Sequence, residues 1–335
     1  MAWRNRWGRR MAIVGIDIAK SKLDVALLLG EGMRRATFAN HEAGFRQFLD
    51  WLERHRPDPH SSWHACLEAT GNWGLDLADA LHAAGIIVSV VNPARIKAYG
   101  ESELARNKTD RLDAALIARF CRAQVPPPWT PPAAHLRELR ELVRRCDALK
   151  AARVQELDRQ KSGFASSAVA GSIAAHLDWL DRQIEAVFTE VRRVIAADPT
   201  LSRNVALVRS ITGFGEVSAA ILLAEIPNIA GFTPKALAAF AGLSPSEHSS
   251  GSSIRRPGSI SRIGSERLRR TLFRCALSAK RTNHALADFV RRMAIAGKPP
   301  KVILVAAARK LLVHAHAVIR TQTPFGPPSA PPQRS

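Results

Sequence analysis

Cysteine is scarce and scattered. Cys66, Cys121, Cys146 and Cys275 are the only four, and none forms a CxxC pair. That argues against a zinc site or a disulfide framework and fits a reducing cytosol. Long uncharged stretches are missing too: no run of about 18 uncharged residues is there to span a bilayer. Met1 to Arg10 carries four arginines before an apolar stretch, as a signal peptide would. Asp17, Lys20, Lys22 and Asp24 interrupt that stretch, however, and no small-residue cleavage site follows. The expectation is a soluble cytoplasmic protein with no membrane partner. Acidic residues are few: 29 Asp and Glu face 49 Lys and Arg, a formal net charge of +20. Such a charge calls for a polyanion, nucleic acid before an anionic membrane surface.

What is present is globular. Hydrophobic residues make up 46% of 335, enough for two or three domains with real cores. Residues 11–125 alternate strand-like and helix-like patterns. Ile13–Ile18 and Asp24–Leu29 read as a hairpin, Gly44–Glu53 as an amphipathic helix and Ser62–Leu67 as a strand. Leu75–Ala84 reads as a helix and Ile86–Val91 as a strand ended by Asn92-Pro93. Lys108–Cys121 reads as a helix with Leu112, Leu116 and Ile117 on one face. That order predicts an α/β domain with helices on a sheet. Five prolines between Gln124 and Pro132 predict a stiff linker. A helical segment over 133–198 follows, with breaks at Ser162-Gly163 and Gly171-Ser172. Its seam of Ile173, Leu177, Leu180, Ile184, Val187, Val191 and Val194 has the heptad spacing of a coiled coil. The seam serves a hairpin packing on itself or a contact between subunits. Residues 200–320 form a mainly α C-terminal domain, and 321–335, with five prolines, a disordered tail.

Four carboxylates look placed. Asp17 sits between Ile16 and Ile18, where an unpaired charge is costly. Glu68 ends a second apolar run. Asp110 and Asp113 stand three apart in the predicted helix, facing one side. Hard-oxygen ligands from separate elements, in a basic chain, suggest divalent metal at a phosphodiester. Asp76 and Asp79 have the same spacing with no role assigned, so spacing alone is weak. Lys108 and Arg111 read equally as phosphate-positioning cations and as helix-surface charges.

The second half offers fewer chemical cues and more charge. Between Arg255 and Arg320 stand sixteen Lys or Arg against two acids, Glu266 and Asp288. That imbalance reads as a nucleic-acid surface, with Arg255, Arg256, Arg262, Arg269 and Arg270 as its candidates. Gly213 and Gly215 flank Phe214 ahead of an apolar helix, as a phosphate-holding turn or as a plain helix connector. The serine run at 249–253 is by default a flexible loop. Basic residues close behind it strengthen the alternative of a nucleophilic serine, whose developing charge they would balance.

Together these residues carry a resemblance. Gly15-Ile16-Asp17-Ile18-Ala19-Lys20, Leu67-Glu68-Ala69-Thr70-Gly71, Val91-Asn92-Pro93-Ala94-Arg95 and Asn107-Lys108-Thr109-Asp110-Arg111-Leu112-Asp113-Ala114 resemble, in order, the motifs of DEDD transposases of the insertion-sequence-110 family and related Piv invertases. The Ala-Gly-Leu-x-Pro stretch at 241–245, the Ser250-Gly251 pair and Ile260-Ser261-Arg262-Ile263-Gly264 resemble the family's C-terminal domain. The resemblance implies a RuvC, ribonuclease-H-like fold for the first domain and a helix-hairpin-helix-like element in the last. It implies Asp17, Glu68, Asp110 and Asp113 as ligands of Mg²⁺ or Mn²⁺. It maps the family's nucleophilic serine onto Ser250, and Ser249, Ser252 and Ser253 beside it leave the choice of serine open. It further implies a composite active site, donor and target DNA, a structured bridge RNA, and a homodimer or homotetramer at the nucleoid. Competing readings are a RuvC-like nuclease hydrolysing branched DNA, a non-catalytic nucleic-acid scaffold, and an actin-like ATPase suggested by Gly15-Ile16-Asp17-Ile18.

Overall fold

The computed structural model describes residues 11–30, 32–68, 74–103, 113–246, 249–250, 254–255, 259–260 and 264–326. Two compact units divide after Pro131. The first is built on a five-stranded sheet. Strands β1 (Met11–Ile18), β2 (Lys22–Leu29) and β3 (Gly32–Ala39) form an antiparallel meander; β4 (Ser62–Glu68) and β5 (Ile87–Val91) add in parallel on the other side of β1, giving the order β3-β2-β1-β4-β5.

The pleat sorts the two cores. Ala12, Val14, Ile16 and Ile18 of β1 pack with Phe45, Phe48 and Leu52 of α1 (Glu42–Arg54) and Leu77, Ala78 and Leu81 of α2 (Leu75–Ala83). Ile13 points the other way, joining Cys66 and Val91 under Leu116, Ile117 and Phe120 of α4 (Ala114–Gln124). Fully burying one such aliphatic or aromatic side chain contributes about 1.5–3 kcal/mol, so this alternation fixes the register of the buried strands.

The structure adds two elements to those expected. β3 is an exposed edge strand carrying Arg34 and Arg35, so it has no clean alternation to read; pairing with β2 recruits it. Helix α3 (Pro93–Glu103) starts at Pro93, where the expected reading was only the end of a strand. Asn92 Oδ1 accepts from the Ala94 amide at 2.9 Å, a cap followed by proline in the first turn. The proline-rich segment is no free linker. Trp129 donates its amide to the Val88 carbonyl at 2.6 Å, and the Ser89 hydroxyl lies 3.0 and 2.9 Å from the carbonyls of Pro126 and Pro127. Ser89 in turn takes a hydrogen bond from His64 Nε2 at 2.9 Å. Burial lowers the His64 pKa to about 4, so the ring stays neutral.

The second unit is helical. α5 (Ala134–Lys161) and α6 (Ser167–Ala197) lie antiparallel, as the pairs Arg193–Glu138 (2.5 Å), Arg153–Asp181 (2.5 Å) and His176–Glu156 (3.0 Å) require. α6 runs unbroken through Gly171, against the break expected there. Of the seam, Leu177, Leu180, Val191 and Val194 are buried. α7 (Pro199–Arg209), α8 (Glu216–Glu225) and α9 (Pro234–Phe240) follow, then four short strands, β6 (Pro245–Ser246), β7 (Ser249–Ser250), β8 (Ile254–Arg255) and β9 (Ser259–Ile260). α10 (Glu266–Thr282), α11 (His284–Ile295) and α12 (Pro300–Thr321) complete the unit. α12 is the helix among the described residues long and apolar enough to cross a membrane, but half of it is buried and its middle carries Arg309 and Lys310. It packs on α10, α7 and α9 as a core helix. The tail begins ordered, contrary to expectation. The Phe325 amide donates to Ser210 Oγ at 2.8 Å and its ring stacks on His314. Residues 327–335 lie outside the described residues.

Candidate active site

Three of the four expected carboxylates gather at one end of the sheet. Asp17 is the penultimate residue of β1 and Glu68 the last of β4. The two strands are parallel neighbours, with Ile16 beside Leu67, so both side chains leave the same edge. Asp113 comes from a third element. It caps α4 with extended backbone (φ −119°, ψ 160°), and its Oδ1 accepts from the Leu116 amide at 2.7 Å. This corrects the expected helix over Lys108–Cys121: Asp113 lies before the first helical turn, so a shared helical face with Asp110 does not describe it. Asp110 itself lies outside the described residues, as do Lys108 and Arg111.

Gly15 makes the convergence possible. A Cβ there would collide with the carbonyl oxygen of Ala114 and the amide nitrogen of Ala118. Only a bare backbone lets α4 lie directly on β1, and that contact brings the cap residue Asp113 beside Asp17, two residues further along the strand. The small residues Ala114, Ala115 and Ala118 on α4 complete the close approach.

Charge is crowded here. Burial, then Asp24, raise the Asp17 pKa above the usual carboxylate range, with a smaller push from Asp113. Burial and then Asp17 raise that of Glu68, whose residue is 8% exposed. Asp24 faces Asp17 across the hairpin. It differs because Lys22 Nζ (2.7 Å) and Thr37 Oγ1 (2.7 Å) donate to it and hold its pKa down. Arg35 reaches Asp113 at 3.8 Å. Among the described residues no three His, Cys, Asp or Glu side chains close around a metal position. The donor chemistry nonetheless fits a divalent cation: every donor is a carboxylate oxygen, and burial and neighbouring acids raise the pKa of two of them, a cost that a bound cation would relieve.

The second unit holds Ser250 on a β arm. β6 pairs with β9 and, further out, β7 pairs with β8, placing Ser250 opposite Ile254 and Ser249 opposite Arg255. The serine run expected as a flexible loop is therefore strand at Ser249 and Ser250; 251–253, Arg256 and Arg262 lie outside the described residues. Two glycines close the base of the arm. Gly264 has φ +145°, and a Cβ on it would collide with the Phe240 carbonyl oxygen and lie 2.6 Å from the Gly242 amide nitrogen.

A transposase family model of the DEDD, IS110 type matches residues 14–163, and a second, of the transposase IS116/IS110/IS902 family, matches 205–291. The pilin gene-inverting proteins of Moraxella bovis and Moraxella lacunata are each 34% identical over 316 residues, covering 93% of this chain and 97% of theirs. The chain belongs to the IS110 family of transposases. Among solved structures, T. thermophilus RuvC in complex with a Holliday junction substrate covers 36% of the transposase at 17% identity and a TM-score of 0.26, too slight a likeness to argue from.

Other expected contacts of this transposase are partly committed inside the fold. Gly213 (φ +114°) has its Cβ position 2.6 Å from the Ala279 methyl of α10. Gly215 caps α8 and gives its amide to Ser218 Oγ at 2.9 Å. Both features describe a helix connector. Arg270 approaches Asp147 at 3.5 Å, and Arg267 pairs with Asp147 and Glu225. Arg269 donates to the Gly264 carbonyl at 3.1 Å. Sequence reasoning missed Asp24, Arg35 and the role of Gly15. The hairpin register would have placed Asp24 opposite Asp17; nothing local marks Arg35.

Proposed function

We propose that this transposase cuts and rejoins DNA through a covalent serine–DNA intermediate, with Asp17, Glu68, Asp113 and Asp110 holding Mg²⁺ or Mn²⁺ and Ser250 as the nucleophile. The reading rests above all on carboxylates from β1, β4 and the start of α4 converging in a chain of net charge +20. Ser250 Oγ attacks the scissile phosphorus and loses its proton. The bond from phosphorus to the leaving sugar oxygen breaks, and that oxygen takes up a proton. One phosphodiester replaces another, so the strand can be resealed by the reverse attack without ATP. A bound divalent ion would neutralise charge on the phosphate oxygens. The carboxylates keep their acceptor oxygens at one strand edge, while Lys22 and Thr37 occupy Asp24 and leave Asp17 the freer of the hairpin pair.

Arg255, Arg256, Arg262, Arg269 and Arg270 belong to the DNA-binding surface in this reading, and Lys108 and Arg111 flank the metal site. The ribonuclease-H-like character of the first unit, the helix-hairpin-helix-like turn at Gly213 and Gly215, and the structured RNA partner rest on family membership. The oligomer reading has support of its own: Val154, Phe164, Val169 and Trp179, around the connected ends of α5 and α6, are large apolar side chains left exposed.

The experiment is incubation of the protein with Mg²⁺, its flanking genomic DNA and co-purified RNA, followed by a denaturing gel. A protein–DNA adduct that disappears in Ser250→Ala is expected. Cleavage that persists in Ser250→Ala with no adduct would replace this reading with metal-dependent hydrolysis.

A further inference from the structure

A cavity of about 220 Å³ opens beside the base of the β arm. Its walls come from four places in the second unit: Leu243 after α9, Ile260 of β9, Phe273 of α10, and Val305 with Ala308 of α12. Arg269 and Arg270 complete it. Drug-sized ligands occupy roughly 300–1,000 Å³, so this space suits a single flat ring system. The lining is one aromatic ring, four aliphatic side chains and two arginine side chains that present mainly their apolar stems, with no acid among them. Helical spacing puts Arg269, Arg270 and Phe273 on neighbouring positions of one face. The Gly264 carbonyl steadies Arg269, and Arg270, 3.5 Å from the Asp147 carboxylate that Arg267 also engages, keeps half of its side chain exposed.

We propose that this cavity receives one unstacked base of a DNA strand, with Arg269 and Arg270 on the adjoining phosphate. The inference rests on the DNA-joining function above and names how the strand is held. An apolar slot with an aromatic wall accepts the π-face of any base. Cations at its edge complement the backbone that must follow the base in. Ile260 ends β9, the strand that returns from the Ser250 hairpin. A base seated against Ile260 would therefore anchor the strand at the root of the arm bearing the nucleophile. The pocket would hold the strand without reading its sequence, because its lining offers no acceptor or amide to distinguish base edges.

The test measures equilibrium binding of the full chain to two end-labelled DNA single strands of about sixteen nucleotides, one intact and one abasic throughout. Both carry the same charge. The wild type should prefer the intact strand by about five-fold or more, the weight of one stacked base. Phe273→Ala should erase that preference and leave abasic binding unchanged. Val305→Trp, which fills the slot from α12, should do the same, so the result does not hang on one variant's folding. Unchanged abasic affinity certifies an intact basic surface in either variant. A preference that survives both substitutions overturns the pocket while the DNA reading stands. A wild type that binds neither strand overturns the DNA reading and the pocket with it. Stronger base-dependent binding to the RNA strand of the same sequence, lost in Phe273→Ala, would overturn the assignment to DNA.

Discussion

The two units handle charge in opposite ways. In the first, Asp17, Glu68 and Asp113 sit where backbone geometry puts them: two strand ends and a helix cap, drawn together by the bare backbone of Gly15. Little side-chain freedom remains, and repulsion is built in. In the second, arginine is plentiful but partly consumed. Arg144 pairs with Glu225 at 3.3 Å, Arg267 joins Asp147 to Glu225, and Arg140 gives its Nε to the Ala224 carbonyl at 3.0 Å. A count of positive residues therefore overstates the surface left for phosphate, whereas a count of acids understates how strongly three of them interact. Concentrated acids indicate chemistry; distributed bases indicate affinity.

Substitutions that separate chemistry from affinity test this contrast most directly. Asp17→Asn or Glu68→Gln should lower strand cleavage by about 10²–10³-fold, the scale of losing one electrostatic stabiliser, with DNA affinity nearly unchanged. Adduct yield and anisotropy titration read the two quantities separately; a parallel fall in both would break the contrast.

Next in size are the two glycines that set each unit's backbone approach. Gly15→Ala should destabilise the first unit by about 1–3 kcal/mol through overpacking against α4 and remove cleavage by moving Asp113. Gly264→Ala should cost about as much in the second unit, with strain at its positive φ added. Denaturant titration followed by tryptophan fluorescence, to which the first unit contributes most of the seven indoles, should respond to Gly15→Ala; if Gly15→Ala melts like the wild type, α4 does not need the bare strand.

A smaller effect concerns salt. DNA binding should weaken steeply as salt rises, and Arg270→Ala should lower the slope of log affinity against log salt by about 0.9 on duplex DNA. Arg267→Ala, whose charge is already committed to Asp147 and Glu225, should leave the slope alone and reduce stability instead. Equal slopes for both variants would mean that the internal pairs do not withhold charge.

The smallest effect is in pH. Asp17 and Glu68 titrate above their ordinary range, so the folded chain keeps protons that the unfolded chain has already released. Metal-free stability contributed by these groups is thus greatest below the ordinary carboxylate pKa and falls as pH rises through the raised values. Asp17→Asn removes one of the pair, so its melting temperature should gain on the wild type as pH climbs from about 4 to 7. Excess Mg²⁺ should reverse the trend in the wild type, since ligands must ionise to bind. A variant-minus-wild-type difference that is flat with pH would show that the carboxylates do not repel.

The strands and helices with strong periodicity were legible because each satisfies its own pattern: β1, β2, β4, β5, α1 and α2 fall within a few residues of where apolar spacing puts them. β3 was not, because an exposed edge strand owes its conformation to a partner. Gly171 misled because one glycine costs a helix only about 1 kcal/mol, and α6 is anchored on α5 from His176 onward, which outweighs it.

By itself the sequence determined the kinds of chemistry available: acids isolated in apolar runs, a basic second half, and ordered motifs that name a family. Those properties are local, carried by residue type and spacing. Only the tertiary structure decided which acids meet, that Asp113 caps a helix instead of lying along one, that Asp24 is already satisfied, and which arginines remain for phosphate. The meeting of the acids and the pairing of the arginines depend on side chains separated by tens of residues coming within a few ångströms, a distance that no local pattern encodes; the Asp113 cap and the Asp24 bonds are shorter in sequence, but which local contact forms was settled by where the strand and helix begin.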